Sequence, residues 1–440
     1  MIHEALEKVL AGEDLSRSEM KAVLDDFSAG RVTPIQFTAL LTALSMKGMS
    51  MEEEAALQEE RHRQAPQKFA TCGIGAEPAS ARSGQLHFIT QVVLGEGNDL
   101  SRKEAEAAME DILSGDVEDT EIASFLAALR FKGETVDELV GFATAMRRHA
   151  APNFSSLRLP PGEPLVDTAG TGGDARGTFN ISTAAAFVIA GAGVRVAKHG
   201  NRSFSSRCGS ADVLEELGVR MDLAPERVAR AIEEIGIGFL YAPAMHTAMR
   251  HAMTARRELK VRTVFNLLGP LTNPAGASAQ IVGVFDPSFT ELLAQALGEL
   301  GVRSAFVVHG ADGLDEISIS GETYISELHD GTVRSYSVAP EDFGFSRAPL
   351  ERLRGGDAKH NAQIIHHVLG HRDAPHEHGP HRDIVLANSA AALVAAGRAG
   401  DFLEGVRLAA ESIDSGAARA RLEALIAFTQ KEKPRGQVAP

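Results

Sequence analysis

An internal duplication constrains this chain more than any other feature. Residues 14–65 align without a gap onto residues 99–150, with about 17 identities over roughly 52 positions. Asp14-Leu15-Ser16-Arg17 falls on Asp99-Leu100-Ser101-Arg102, and Lys47-Gly48 falls on Lys132-Gly133. Each copy reads as the same all-helical unit. A Ser caps a first helix rich in Glu, Ala, Met and Asp. A turn follows at Gly30 or Gly115. A second helix runs through Leu40-Leu41-Leu44 or Phe125-Leu126-Leu129 and stops at Gly48 or Gly133. A third begins near Met51 or Val136. Between the copies, the small-residue stretch from Thr71 to Ser80 reads as a linker.

From about Leu157 the pattern changes. Short β-type runs (Pro164–Thr168, Val194–Ala197, Gln280–Phe285, Ser304–His309, Glu316–Ser320) alternate with helical runs, which is the signature of an α/β domain. The expected division is an extra helical copy over 1–68, a linker over 69–85, a helical small domain over 86–152, and an α/β domain over 153–440. A chain of 440 residues is long enough for two or three such units.

Composition excludes some functions. The net charge of -15 argues against broad nucleic-acid binding, which depends on Lys/Arg attraction to phosphates. No apolar stretch reaches bilayer-spanning length; the nearest, Ala184 to Val194, is short and contains glycine. The start, MIHEALEKVL, lacks a basic segment before a long apolar core, so no signal peptide is expected. Two cysteines, Cys72 and Cys208, make no disulfide framework and point to a reducing cytoplasm.

Four blocks carry the chemistry. The first is Asp167-Thr168-Ala169-Gly170-Thr171-Gly172-Gly173-Asp174, where the apolar run Leu165-Val166 leads straight into a glycine-rich turn. Glycines let a backbone take positive φ and approach a ligand closely. Thr178-Phe179-Asn180-Ile181-Ser182-Thr183 then leads an Ala-rich helix, expected from Ala184 to Ala192. Backbone N–H groups at that helix start, with the side chains of Thr178, Asn180, Ser182 and Thr183, suit an anion. A tight structural turn is the alternative for the glycines taken alone.

The second block runs from Lys198 through His199, Gly200, Asn201, Arg202, Ser203, Ser205, Ser206 and Arg207 to Cys208-Gly209-Ser210. It follows a strand and precedes a helix expected to be capped by Ser210, with Asp212 in its first turn. Three cations and several hydroxyls suit a diphosphate; a solvated basic loop is the alternative. The third block, Asp312-Gly313-Leu314-Asp315-Glu316, sits at the end of the apolar strand Ala305–Val308. Asp312-Gly313 alone is a turn. Asp315-Glu316 goes beyond it, and adjacent carboxylates suit Mg²⁺, which takes one or two of them beside substrate phosphates. The fourth is a basic helix carrying His246, Arg250, His251, Arg256 and Arg257, followed by Lys260 and Arg262 and ending at Asn266–Pro270. Most of these cations serve solubility; one is placed to grip a carboxylate through a bidentate fork.

These blocks, in this order, resemble the anthranilate phosphoribosyltransferase family. The resemblance runs from about Leu86 to near the C-terminus and rests on GTGGD at 170–174, NIST at 180–183, KHGN at 198–201, GSAD at 209–212, RTVFNLLGPLTNPA at 262–275 and DGLDE at 312–316. It implies an α/β fold with a separate all-α N-terminal domain, joined by helices near 245–270. The large domain is then a central mixed, mostly parallel sheet flanked by helices. It further implies that Gly170, Gly173, Asp174, Thr178, Asn180, Ile181, Ser182, Thr183, Lys198, His199, Gly200, Asn201, Arg202, Ser203, Ser205, Ser206 and Ser210 hold phosphoribosyl pyrophosphate (PRPP). Ser182, Asp315 and Glu316 match positions associated with Mg²⁺, and Gly170, Asn201, Arg256 and Pro270 match positions facing anthranilate. Three features depart from the family pattern. Lys260 stands where Gly is usual, Cys208 replaces a small Ser before Gly209, and residues 371–381 form a His-rich expansion that reads as a solvated loop more readily than as a metal site.

The implied reaction is attack by the anthranilate amine on the anomeric carbon of PRPP, with pyrophosphate leaving. No general base is assigned; His199 is a candidate, and a structural role for it is the alternative. Two other classes compete: a pyrimidine nucleoside phosphorylase of the same fold, and a non-catalytic nucleic-acid-binding paralogue. The KHGN block and Arg256 argue against the first, and the acidic charge argues against the second. No nucleic-acid or membrane partner is expected. The resemblance implies a homodimer through helical domains, unless the extra copy changes assembly. That copy would either occupy its own chain's dimerisation surface or add a contact that builds larger assemblies.

Overall fold

The two copies of the repeat fold into matching helices. The first holds α1 (Ile2–Leu10), α2 (Arg17–Ser28), α3 (Pro34–Lys47) and α4 (Met51–Arg63); the second holds α5 (Arg102–Ser114), α6 (Asp119–Lys132) and α7 (Val136–Ala150). An 85-residue shift lays α3 on α6 residue for residue. The computed structural model describes residues 1–63, 86, 89–90, 93, 97–150, 154, 156–203, 207–370 and 379–431. They fall into two units: Met1–Met146 with Thr247–Leu268, and Arg147–His246 with Gly269–Pro440. The linker read at 69–85 and most of the His-rich segment, 371–378, lie outside the described residues.

Duplication extends to atomic detail. Ser16 accepts from the Glu19 N–H while the Glu19 carboxylate accepts from the Ser16 N–H, and Ser101 and Glu104 repeat this reciprocal cap. Glu53 is fully buried and accepts from the Leu15 and Ser50 N–H groups, each at 2.7 Å, and from Lys47 Nζ at 2.9 Å. In the second copy Glu138 does the same with Leu100, Thr135 and Lys132, all at 2.9 Å. Each carboxylate thus ties the start of one helix to the start of another and satisfies N–H groups that helix ends leave bare. Removing one partner of such a buried ion pair costs on the order of 3–5 kcal/mol. The similarity also reaches upstream of the sequence alignment. Ile2, Ala5, Leu6 and Val9 form the buried stripe of α1, and helical Leu86, Ile89, Thr90 and Val93 repeat that spacing.

Helices α3 and α6 form the most extensive helix–helix packing among the described residues. Every residue from Phe37 to Leu44 is buried, over two turns with no exposed face, and in α6 Phe125 to Leu129 are likewise buried. A helix apolar on all sides must be covered on all sides. The 246–262 stretch, expected as one basic helix, instead forms a tighter 3₁₀ segment over Thr247–Ala252 followed by the α-helix Met253–Leu259. Lys260 closes that helix in the left-handed region at φ 53°.

The second unit is built on a seven-stranded sheet of order β3-β2-β1-β4-β5-β6-β7. Strands β1 (Leu165–Asp167), β2 (Arg195–Gly200), β3 (Ile237–Tyr241), β4 (Ala279–Gly283) and β5 (Ser304–Gly310) pair in parallel, and β6 (Thr323–His329) and β7 (Thr332–Val338) add an antiparallel hairpin. The mixed, mostly parallel sheet expected from the resemblance is therefore present. One expected strand is absent: Glu316–Ser320 is an irregular turn. Its backbone bonds side chains instead of a neighbouring strand, Ile317 N–H donating to Asn388 Oδ1 and Ser318 N–H to Thr323 Oγ1. Helix α8 (Ile181–Gly191) begins three residues before its expected start, so Ser182 and Thr183 lie in its first turn. It is buried along nearly its whole length against helices Pro380–Ala395, Phe402–Asp414 and Ala417–Gln430. No helix among the described residues is long and apolar enough to cross a membrane.

Left-handed backbone explains why glycine suits the Lys260 position: a Cβ there crowds the following carbonyl. Lys260→Gly should raise stability by about 0.5–1 kcal/mol, relief of strain outweighing the added freedom of the unfolded chain. Urea unfolding monitored by circular dichroism measures it; a midpoint at or below the parent value would contradict the argument.

Candidate active site

The five parallel strands end on one edge of the sheet, and the glycine turn, the Lys198 loop and the carboxylate turn lie at the ends of β1, β2 and β5. The chain runs from β1 to β2 and β3 on one side and from β4 to β5 on the other. The β1/β4 pair is thus the point where strand order reverses, which is where open α/β sheets bind ligands. The glycine-rich turn leaves β1 there. Thr171 N–H donates to the Gly283 carbonyl at 2.8 Å, and a Cβ on Gly170 would overlap that carbonyl. Gly283 is itself pressed by the Asp315 carbonyl, with no room for a Cβ. Two glycines therefore let the β1 turn, the end of β4 and the carboxylate turn meet. Gly173 at φ 85° continues the turn and leads to Asp174.

Beneath the turn lies Asp167, wholly buried. Its Oδ1 accepts from the Ala169 and His199 N–H groups at 3.0 Å, and its Oδ2 accepts from Asn273 Nδ2 at 2.7 Å. Asn273 also donates to the Ala197 carbonyl. Burial pushes the Asp167 carboxyl up, and the neighbouring His199 pulls it back. On the next strand Lys198 is 3% exposed and donates to the Thr168 carbonyl at 3.1 Å, to Thr168 Oγ1 at 2.9 Å and to Ser182 Oγ at 3.3 Å. Burial pushes its ammonium down, while Asp167 and Glu316 act to keep the charge.

Glu316 accepts from the Ser182 N–H at 3.1 Å, bringing the three residues expected around Mg²⁺ to one place, since Asp315 adjoins it. Burial raises Asp315 well above the usual carboxylate range, and the negative charges of Asp174 and Glu316 add to this. Burial likewise moves Glu316 up to about 7, against the pull of Lys198. Asp174 contributes a buried oxygen, Oδ2, with no hydrogen-bond partner. This crowding of carboxylates favours a cation. No group of three His, Cys, Asp or Glu side chains among the described residues converges as a complete metal cage. Asp312 does structural work instead, accepting from Leu314 N–H and from the Ser318 and Ser320 hydroxyls. Arg176 lies against Gly313, a cation over the carboxylate turn that sequence reasoning overlooked although it follows directly on GTGGDA.

Several expected contacts are differently employed. Asn180 precedes α8 without capping it: its amide donates to the Cys208 carbonyl at 3.2 Å and accepts from Asn361 Nδ2 at 2.9 Å. Thr178 pairs with Arg354 in an isolated bridge, Ile181 is buried, and Thr183 is buried with its hydroxyl unpartnered. Gly200 ends β2 against Ser210 and Phe239. Asn201 accepts the Arg202 N–H at 2.7 Å. Arg202 is ion-paired to Asp212 at 3.0 Å and Glu215 at 2.7 Å and so braces the loop. Ser203 N–H donates to Asp212. Ser210, expected as a cap, is the first helical residue; its hydroxyl donates to the Asn201 carbonyl, and Asp212 accepts the Gly209 N–H. Ser205 and Ser206 lie outside the described residues. Cys208 is buried, and burial pushes its thiol up to about 11, leaving it protonated and inert.

His199 Nδ1 lies 3.1 Å from the Gly269 carbonyl, so Nδ1 carries the hydrogen and Nε2 presents a lone pair. That Nε2 is buried without a partner, as is Nε2 of His246, whose ring centroid is 5.1 Å away. Burial pushes both rings down, and burial together with His199 brings His246 to about 3. Both are neutral imidazoles at neutral pH. Pro270 is buried, its carbonyl accepting from Gln280 at 3.0 Å. Arg256 belongs to the helical unit, half-buried on Met253–Leu259 with its guanidinium 4.9 Å over the Phe265 ring. Burial draws it down to about 10, still charged at neutral pH.

Because a side chain at residue 283 must displace the Asp315 backbone, Gly283→Ala should cost about 1–3 kcal/mol by overpacking. A lowered melting temperature checks this; an unchanged one would show that the turn gives way freely.

Comparison with known proteins agrees with this fold. A family model described as "Glycosyl transferase family, a/b domain" matches residues 162–419. Its companion, "Glycosyl transferase family, helical bundle domain", matches both 3–60 and 87–150. An anthranilate phosphoribosyltransferase of Symbiobacterium thermophilum is 57% identical over 337 residues, 76% of this chain and 96% of that protein. The crystal structure of anthranilate phosphoribosyltransferase from Thermus thermophilus superposes with a TM-score of 0.71 at 45% identity, covering 78% of this chain and 99% of that one. The Saccharomyces cerevisiae enzyme in complex with PRPP and Mg gives a TM-score of 0.71 at 30% identity, covering 79% and 98%. The chain belongs to the anthranilate phosphoribosyltransferase family and carries that family's helical-bundle domain twice.

Proposed function

We propose that this protein transfers the phosphoribosyl group of PRPP to anthranilate, giving N-(5-phosphoribosyl)anthranilate and pyrophosphate in tryptophan biosynthesis. The observation that carries the reading is the meeting of the glycine turn, Lys198 and the Asp315–Glu316 pair at the point where strand order reverses. Two further expectations complete it: action in the cytoplasm on small-molecule substrates alone, and a homodimer unless the extra helical copy changes assembly.

In this mechanism the hard step is departure of a multiply charged pyrophosphate as positive charge grows on the ribose. Backbone around Gly170, Gly173 and Asp174, the first turn of α8 with Asn180, Ile181, Ser182 and Thr183, and the loop from Lys198 through Ser203, Ser205 and Ser206 to Ser210 would cradle PRPP, with Thr178 at the edge. Ser182, Asp315 and Glu316 would hold Mg²⁺, which supplies positive charge against the leaving group when bound. Lys198, already in place, adds a fixed charge that needs no reorganisation during reaction. Arg256 would grip the anthranilate carboxylate through its planar fork, Asn201 would orient the ring, and Gly170 and Pro270 would line that side. His199 is the candidate acceptor for the amine proton. Its neutral ring offers Nε2, and its raised cost of charging means it takes the proton only as the amine becomes acidic during attack.

Anthranilate fluorescence should decay on adding PRPP and Mg²⁺ and should stop on chelation; persistence of the signal with PRPP-bound protein would mean a different acceptor. Glu316 holds its proton below about 7 and releases it above, so a cation binding there must displace a proton at low pH. Half-saturating Mg²⁺ should therefore rise as pH falls from 8 to 6, and a pH-independent value would remove Glu316 from the metal site. Arg256→Ala should raise KM for anthranilate by about 10–100-fold, the worth of a charged hydrogen bond, with KM for PRPP unchanged. Equal effects on both substrates would deny Arg256 the role.

A further inference from the structure

The duplicated copy meets the original through equivalent elements. Helix α3 packs on α6, its own counterpart 85 residues on, and Thr42 Oγ lies 2.8 Å from Ser124 Oγ. Under the repeat, Thr42 corresponds to Ala127 and Ser124 to Ala39. A twofold relation demands the reciprocal pair Ala39 and Ala127, and both are small and buried, 0% and 2% exposed. Contact between the same surface of two like units is the signature of an isologous interface, which ordinarily joins two identical chains. Here both units belong to one chain.

The copy also reaches the helix that carries Arg256. Gln36 Nε2 donates to the Glu258 carbonyl at 3.0 Å, Thr33 Oγ1 donates to the Glu258 carboxylate, and His3 Nδ1 donates to the Leu259 carbonyl at 3.1 Å. These bonds satisfy carbonyls at the end of Met253–Leu259 that have no partner within the helix. The helix packs against both α3 and α6.

We propose that the N-terminal copy is a covalently attached stand-in for a second subunit: it covers α6 so that the chain works as a monomer, and it clamps the last turn of the Arg256 helix. An alternative in which the copy adds a further contact and builds larger assemblies leaves no α6 face for that contact, because α3 already covers it. Gln36 is then a positioning residue, and that part rests on the proposed role of Arg256.

Light scattering of the full chain across a wide concentration range should give 46.7 kDa throughout. In a Cys72→Ser background, Thr42→Cys with Ser124→Cys should join within one chain when treated with a short bis-methanethiosulfonate, each thiolate displacing methanesulfinate. A doubled mass, or cross-links between chains, would overturn the monomer. Gln36→Glu keeps an acceptor for the Thr33 N–H but cannot donate to Glu258. It should raise KM for anthranilate about three- to tenfold, the worth of a neutral hydrogen bond, with kcat and KM for PRPP unchanged. An unchanged anthranilate KM would overturn the clamp. If Arg256→Ala also leaves that KM unchanged, the failure lies with the reading of Arg256, and the mass and cross-linking results stand on their own.

Discussion

One buried carboxylate holds the α/β unit's working edge in register. Asp167 ends β1, and its two oxygens bind the turn above it, the adjacent strand through the His199 N–H, and Asn273 in the stretch before β4. An ionised group wholly out of water is tolerated only when its lone pairs are satisfied and opposite charge is near. Both conditions are met, with Lys198 one residue from the bonded N–H and an amide on the far oxygen. Remove Asp167 and the ends of β1 and β2 lose their common anchor, and Lys198 loses one of the two carboxylates that favour its charged form.

The carboxylate turn depends on the same arrangement from the other side. Its chain departs from strand geometry because Asn388 and Thr323 side chains take its N–H groups, which turns Asp315 and Glu316 toward the start of α8. Like charges packed this closely raise one another's proton affinity. The site therefore stores a demand for positive charge before any ligand arrives, and Lys198, Arg176 and a cation from solution are the available answers.

Sequence patterning disclosed the helical repeat, the order of the chemistry-bearing blocks and four of the five parallel strands, β3 being missed, because each leaves a local trace: a cap, a glycine cluster, an apolar run. It did not disclose the β6–β7 hairpin, whose outer strand, Thr332–Val338, is largely exposed and reads as polar chain. Nor did it reveal Gly283, whose requirement arises from a carbonyl 32 residues away in sequence, or Asn273 and Asn361, which act by bridging distant segments. The ion pairs of Arg202 with Asp212 and Glu215 were also not legible, since they link the loop to the helix after it. Lys260 was legible only as an oddity; the left-handed backbone supplies its meaning.

Joining two like units in one chain also frees them from each other. In an association of identical chains, any substitution at the shared surface occurs on both sides at once, so every change must be compatible with itself. Within this chain Thr42 faces Ser124 while their counterparts, Ala127 and Ala39, are both alanine. The internal carboxylate networks around Glu53 and Glu138 have stayed alike, because each unit needs its own to fold. The helix faces have drifted apart. One half is thereby at liberty to specialise as support while the other remains bound to the demands of catalysis.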